Sequence, residues 1–352
     1  MFIPFAPRLT GRREIRLGVT GLALAACLAP ATRGAVTADL VYRGACDASA
    51  AVALDADHFV AASDENNRLR IYRRGAAAQP QQSLDLSALI RADPKHPESD
   101  LEGAARLGDM VFWISSHSLS RSGKERAGRD RFFATRFPRT GDAWQIELVG
   151  ASRDDLGSFL TTAPGLADLR LAEAAMRSPK TKDALNIEGL CATPEGHLLI
   201  GFRNPIRDGK ALLVPLRNPH PFVTGAAPDF GPSLKLDLGG LGIREMIPWR
   251  AGYLIAAGAA FGGGDHQLWY WAGGTAGPRR LKPTKLKGFD VEAMVAYPGM
   301  ADSVELLSDD SGEDLDGKPC PKLPAAQRQF RSLTVRLPEA LFRPLAVPET
   351  AE

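Results

Sequence analysis

Cysteine is scarce: four in 352 residues, at 27, 46, 191 and 320. None is spaced as Cys-x-x-Cys or pairs with histidine at a metal-binding interval, which argues against structural zinc. Net charge is also small, formally +2, so bulk attraction to nucleic acid or to an anionic membrane is not expected. Beyond the N-terminal segment, no apolar run is long enough to span a bilayer. There is no P-loop, no Rossmann glycine fingerprint and no serine nucleophile elbow. The carboxylates of Asp310-Ser-Gly-Glu-Asp314-Leu-Asp316 do not have EF-hand spacing. What the chain has in quantity is glycine (35), proline (26) and short apolar runs. That mixture favours an all-β architecture.

The first thirty residues read as a targeting segment. Arg8, Arg12, Arg13 and Arg16 precede an apolar stretch from Leu17 to Leu28, and Ala29-Pro30-Ala31 offers a small-residue cleavage site. The expectation is a signal peptide over 1–31 and an exported protein, periplasmic or secreted. A second reading takes Leu24-Ala25-Ala26-Cys27 as a lipobox, which leaves a lipid anchor at Cys27. Arg12-Arg13 as a twin-arginine signal is poorly matched by the residues after it.

The rest of the chain is repetitive. Asn186 to Pro205 reads NIEGLCATPEGHLLIGFRNP: an apolar run opened by Glu188, a Pro-Glu-Gly turn, and a second apolar run leaving through Arg203. Two such runs around a turn predict a hairpin. Similar cassettes open at Glu102, Glu245 and Glu292, and a degenerate one upstream has Ser49 where the others have Glu. Each repeat supplies about four short strands, the unit of a propeller blade. The expected fold is one domain over 36–345, a five-bladed β-propeller, with six blades as the alternative. The fifth repeat lacks an outer strand, and residues 36–43 supply one by pairing with 331–337, which leaves no open edge. The surplus at 151–183 contains a helix-period segment, Leu166 to Met176, and reads as a helical excursion on the surface of the second blade. Cys46 and Cys320 fall in repeats that a closed ring makes neighbours, so they are the expected disulfide; the alternative is that all three mature-chain cysteines are free. Cys191 reads as a packing residue.

In such a ring the inner strands line a channel, and the residues that open them converge. Ser49, Glu102, Glu188, Glu245 and Glu292 are the candidate metal ligands. Several carboxylates in one channel do not all stay ionised without cations. Ca²⁺ relieves this with many oxygen ligands at flexible geometry. Equally open is blade-pinning, in which each Glu binds backbone amides or an arginine such as Arg244. The second strand of each repeat returns to the same mouth, bringing Arg203, His117, Asp309 and Asp310 there as candidate catalytic residues. Basic loops, with Arg121, Lys124, Arg126, Arg129 and Arg131, then Arg207 and Lys210, face acidic ones across that mouth. The pattern suits a small phosphate or carboxylate ligand, against the plain alternative of solvated loops. A monomer is expected.

Gly201-Phe-Arg-Asn-Pro205, Lys210-Ala-Leu-Leu-Val-Pro215, Leu241-Gly-Ile-Arg-Glu245, Leu307-Ser-Asp-Asp310 and Asn186-Ile-Glu-Gly189 together resemble the bacterial family called domain of unknown function 3616, over roughly 40–340. The resemblance implies an exported, propeller-like protein and no established activity. A looser similarity is to calcium-dependent apyrases, five-bladed propellers holding one Ca²⁺ on a ring of Glu and Ser, and to esterase-like phytases, which share the Asn-Ile-Glu-Gly opening. The expected function is metal-assisted hydrolysis of a phosphoryl or other anionic ester. The alternative is a non-catalytic propeller that binds a ligand or a protein.

Overall fold

Strand-forming runs of β-branched and aromatic residues fold here into five antiparallel four-stranded sheets. The computed structural model describes residues 40–282, 286–315 and 317–342. The N-terminal 1–31 segment, with Cys27, and residues 36–39 lie outside them. Among the described residues no helix is long and apolar enough to cross a membrane.

The sheets are blades of a propeller. Blade I runs from its inner strand Ala50–Ala53 through His58–Ser63 and Asn66–Arg73 to Gln82–Asp85. Blade II comprises Leu101–Leu107, Met110–Ser115, Phe132–Arg136 and Glu147–Arg153; blade III comprises Asn186–Ala192, Leu198–Asn204, Ala211–Leu216 and Leu234–Leu236. Blade IV comprises Gly242–Trp249, Gly252–Gly258, Gln267–Trp271 and Arg279–Arg280. Blade V combines Val291–Val295, Ser303–Ser308 and Gln329–Arg336 with Leu40–Arg43 as its outermost strand. That last pairing, Leu40↔Ser332 to Arg43↔Gln329, closes the ring with the N-terminal strand. Cys46 and Cys320 form a disulfide beside the closure, and Cys191 is free and buried.

Apolar packing is distributed between blades. One cluster lies at each junction: I with II around Trp113 and Phe133, II with III around Phe132 and Phe202, III with IV around Ile243 and Ile255, IV with V around Phe289 and Leu306, and V with I around Tyr42 and Phe330. Each sheet buries both faces, so its strands read as nearly continuous apolar runs.

Blade II ends in Glu147–Arg153 and blade IV in the two-residue Arg279–Arg280; one local expectation changes. The excess at 151–183 is helical, but broken: Leu156–Thr162, a 3₁₀ turn Pro164–Leu169, and Leu171–Ala175. Arg170 interrupts it at φ 53°, a left-handed conformation that no helix continues through. Nor is it a surface excursion. Leu156, Leu160, Leu166, Leu169 and Leu171 are buried with Phe132, Ile187 and Phe202, making the insertion part of the junction between blades II and III.

Candidate functional site

A cavity of about 960 Å³ occupies the mouth where the inner strands begin. Its walls come from all five blades and carry mostly polar side chains. Four inner strands enter it through the same irregularity. The register of the first strand pair slips between Leu101 and Gly103, Ile187 and Gly189, Ile243 and Glu245, and Val291 and Ala293. Each slip leaves one residue unpaired on the inner strand, a β-bulge that re-aims its side chain. The four residues are Glu102, Glu188, Arg244 and Glu292, and all four line the cavity, as does Ser49 in blade I.

Blade IV therefore contributes Arg244 to the ring, and Glu245 is not part of it. Glu245 is fully buried on the opposite side of its strand, where Oε1 accepts the Met246 N–H at 2.6 Å and Oε2 has no partner among the described residues. Burial holds its carboxyl well above the usual range, which favours the neutral acid. The physical reason is register: the apolar residue that precedes the bulge is Leu101, Ile187, Ile243 or Val291, and aligning on that residue puts Arg244 in the glutamate column.

Arg244 is 5% exposed. It lies between Glu188, 3.0 Å away at Oε2, and Glu292, with which it forms a close ion pair. Arg203 adds a second cation. Its NH1 donates to Glu188 Oε1 at 2.8 Å, its Nε to the Ala259 carbonyl at 3.0 Å and its NH2 to the Gly262 carbonyl at 3.2 Å. Asn186 Nδ2 also donates to Glu188 Oε1 at 2.9 Å, leaving Asn186 Oδ1 buried without a partner among the described residues. On this side of the ring, blade-pinning by arginine is what the side chains do.

The other side is acidic. Oxygens of Asp64, Asp100 and Glu102 lie within 4.8 Å of one another, with Asp47, Glu65 and Asp309 on the same wall. Burial, with repulsion from Glu188, Asp100 and Asp64, pushes Glu102 well above the usual carboxylate range. Burial and the neighbouring Asp47 and Asp100 do the same to Asp64. Asp47 is raised to about 7 by burial and by Asp309. Asp100 reaches about 6 through burial, although Arg129 and Ser116 pull it down. Arg129, at 3.1 Å from Asp100 and paired also with Glu98, is the cation that meets this cluster. Ser49 Oγ donates to the Leu101 carbonyl at 2.6 Å.

The four expected catalytic residues separate. Arg203 and Asp309 line the cavity. Asp310 does not: it is buried against Arg331, whose NH2 approaches to 2.7 Å. His117 does not line it either. Its left-handed backbone, φ 53°, and a bond from Nδ1 to the Ser115 carbonyl set the ring beneath Gly157 of the helical insertion. Of the basic loops, Arg121, Arg126 and Arg129 reach the cavity and Lys180 joins them, while Arg207 is held by Asp183 and the Leu169 carbonyl.

Several lining residues were not among the candidates, among them Asp64, Asp100, Asn186, His266 and Phe261. His266 accepts the Val291 N–H through Nδ1 at 2.6 Å, which assigns the ring proton to Nε2. Burial and the nearby Arg244 and Arg203 lower it to about 3, so it stays neutral at ordinary pH. Its place at a second-strand exit was legible. Phe261, 45% exposed, stands at the rim before Gly262, Gly263 and Gly264; only its isolation in a glycine run marked it.

Solved structures with similar chain traces share little sequence. A GH43 β-1,3-galactosidase with galactodeoxynojirimycin is 9% identical, with 86% of this chain and 96% of that chain covered and a TM-score of 0.50. The PQQ-bound aldose sugar dehydrogenase of Streptomyces coelicolor is 12% identical, with coverage of 88% and 100% and a TM-score of 0.43. The glutaminyl cyclase of Myxococcus xanthus is 12% identical, with coverage of 86% and 97% and a TM-score of 0.42. At such identities the likeness concerns the fold. No curated protein matches the chain in sequence. The family described as "Protein of unknown function (DUF3616)" matches residues 47–139 and 150–298, and the chain belongs to that family.

Proposed function

We propose that the cavity binds a divalent cation on its acidic wall and an anionic ester beside it, and that the protein hydrolyses that ester. The observation that carries the reading is the division of one cavity into two halves of opposite character. Asp64, Asp100 and Glu102 offer an all-oxygen donor set at mutual distances within 4.8 Å. Burial first, then repulsion from neighbouring carboxylates, raises their proton affinities, and a bound cation would lower them. Oxygen-only donors without His or Cys suit Ca²⁺ better than zinc, and donors spread over separate blades suit its flexible shell better than a Mg²⁺ octahedron. Once bound, Ca²⁺ supplies charge neutralisation and polarises a phosphoryl or carboxylate oxygen. The chain's own groups do the rest. Arg203 lines the facing wall with its charge directed by Glu188 and two carbonyls, and the neutral His266 keeps a proton on Nε2 to donate. Arg121, Arg126 and Lys180 at the rim attract an anion.

The test is two measurements on purified protein. Melting in chelator is compared with melting in millimolar Ca²⁺, and aryl phosphates, nucleotides and phytate are assayed under both conditions. A Ca²⁺-dependent rise in Tm that Glu102→Gln removes, together with turnover lost in Arg203→Ala, supports the reading. No Ca²⁺ shift and no turnover overturn it.

The second reading is a binding propeller without chemistry. What favours it is the loss of two catalytic candidates from the cavity, Asp310 to Arg331 and His117 to the insertion. Ca²⁺-dependent binding of a phosphate ester with no hydrolysis decides for it.

A further inference from the structure

We propose that the wall formed by blades III and IV is a saccharide subsite, in which Asn186 and Glu188 take hydroxyl groups and Phe261 takes the apolar face of a pyranose ring. The proposal is independent of the cation: it concerns the opposite wall and needs no phosphoryl group.

The first observation is an orphaned acceptor. Asn186 is 8% exposed and lines the cavity, yet its Oδ1 has no hydrogen-bond partner among the described residues, because its Nδ2 is committed to Glu188. Its neighbour Glu188 is 2% exposed; its Oε2 faces Arg244 NH1 at 3.0 Å as an ion pair, without a hydrogen bond of good geometry, so Asn186 Oδ1 is the acceptor left open. A buried acceptor left unpaired is costly, and such groups in a cavity call for a donor from the ligand. Hydroxyl groups are donors that a carboxylate and an amide oxygen accept side by side.

The second observation is an aromatic side chain in the same cavity. Phe261 is one of two large apolar side chains exposed among the described residues, and it lines the cavity. Its position relative to Glu188 is fixed by a single guanidinium. Arg203 grips the carbonyls of Ala259 and Gly262, which bracket Phe261 in the chain, and with its remaining nitrogen holds Glu188. The backbone on either side of Phe261 and the buried Glu188 are thus held by one planar group.

A ligand that satisfies both features needs donors along one edge and an apolar face on the same small unit. A pyranose has both. Aromatic faces at the mouth of a pocket with a few convergent polar groups are the usual form of small-molecule sites. His266, with its proton on Nε2, complements the acceptors with a donor for a ring or hydroxyl oxygen.

Saturation-transfer NMR on the full protein tests this, in chelator and again in Ca²⁺, with methyl glucosides, galactosides and mannosides of both anomers, glycerol and adenosine. At least one pyranoside is expected to receive saturation, strongest at its ring C–H protons. Phe261→Ala should weaken that binding about tenfold, the loss of one good aromatic contact, whereas Phe261→Trp should preserve it. Phe261 is exposed, so its removal does not threaten folding, and Asn186→Ala should reduce affinity without touching the platform. Absence of transfer to every pyranoside overturns the proposal. So does pyranoside binding that Phe261→Ala leaves unchanged, or binding of adenosine alone. None of these outcomes depends on ester hydrolysis or on Ca²⁺.

Discussion

Arg244 and Glu245 show how far one residue of register reaches. Both were visible in the sequence; which of the two faces the channel depends on the apolar residue before the bulge, here Ile243. Glutamate itself is the weaker guide, because Glu245 lies in the core with its carboxyl raised by burial, beside Cys191, whose own thiol is raised by burial. Each residue carries a prediction. Removing a partner from a buried ion pair leaves an uncompensated charge, so Arg244→Met should cost about 3 kcal/mol, read by chemical denaturation. The loss should shrink when Glu292→Gln is added, since the charge left unpaired is that of Glu292. For Glu245 the folded-state pKa lies above the unfolded one. Its contribution is fully present at pH below the unfolded value and fades as pH rises towards the folded one, because the unfolded chain ionises first. Glu245→Gln removes that penalty while keeping the shape. The variant should gain on wild type as melting moves from pH 4 to pH 8; a difference flat across that range refutes the buried neutral acid.

At the scale of the element, strand runs were readable and their exits were not. The inner strands of blades II, III and V announce themselves by an aliphatic residue, a bulge residue and a small residue in sequence, as in Ile187-Glu188-Gly189. The small residue has a packing reason. A Cβ on Gly189 falls 2.7 Å from Ile243 Cγ2 of the next blade, with the Gly201 Cα at 3.3 Å behind it. Gly189→Val should therefore be destabilising by about 1–3 kcal/mol through overpacking. Gly189→Ala combined with Ile243→Ala should cost less than the two single substitutions added together; a double-mutant cycle on urea midpoints decides. The helical insertion was legible as helix but not as core, because its leucines carry no mark of what they face. His117 was misplaced for a related reason. Its position at a strand exit was right, but the left-handed turn that sends its ring away from the cavity belongs to a non-glycine residue, and sequence rarely signals that conformation.

For the whole molecule, a propeller without a central core depends on joining its first and last blades. The blades touch only their neighbours, each through its own apolar cluster, so opening one junction leaves the other four intact. Two devices guard the V–I junction. Tyr42, on the strand that completes blade V, is wholly buried among Phe59, Tyr72 and Phe330 and donates to Glu305 at 2.9 Å. The Cys46–Cys320 disulfide ties residues 274 apart in sequence. A loop of that length gives a chain-entropy stabilisation of about 5 kcal/mol, at the upper end of the usual range. The pairing was legible from ring topology alone, and the consequence is spatially specific. Replacing both cysteines by serine should lower the melting temperature, and amide hydrogen exchange should quicken first in Leu40–Arg43, Ala50–Ala53 and Gln329–Arg336. Protection in Asn186–Ala192 and Leu198–Asn204, on the far side of the ring, should fall last. Exchange that rises uniformly through all five blades would mean that the ring unfolds as one unit, with the disulfide acting on the unfolded chain and not on the closure.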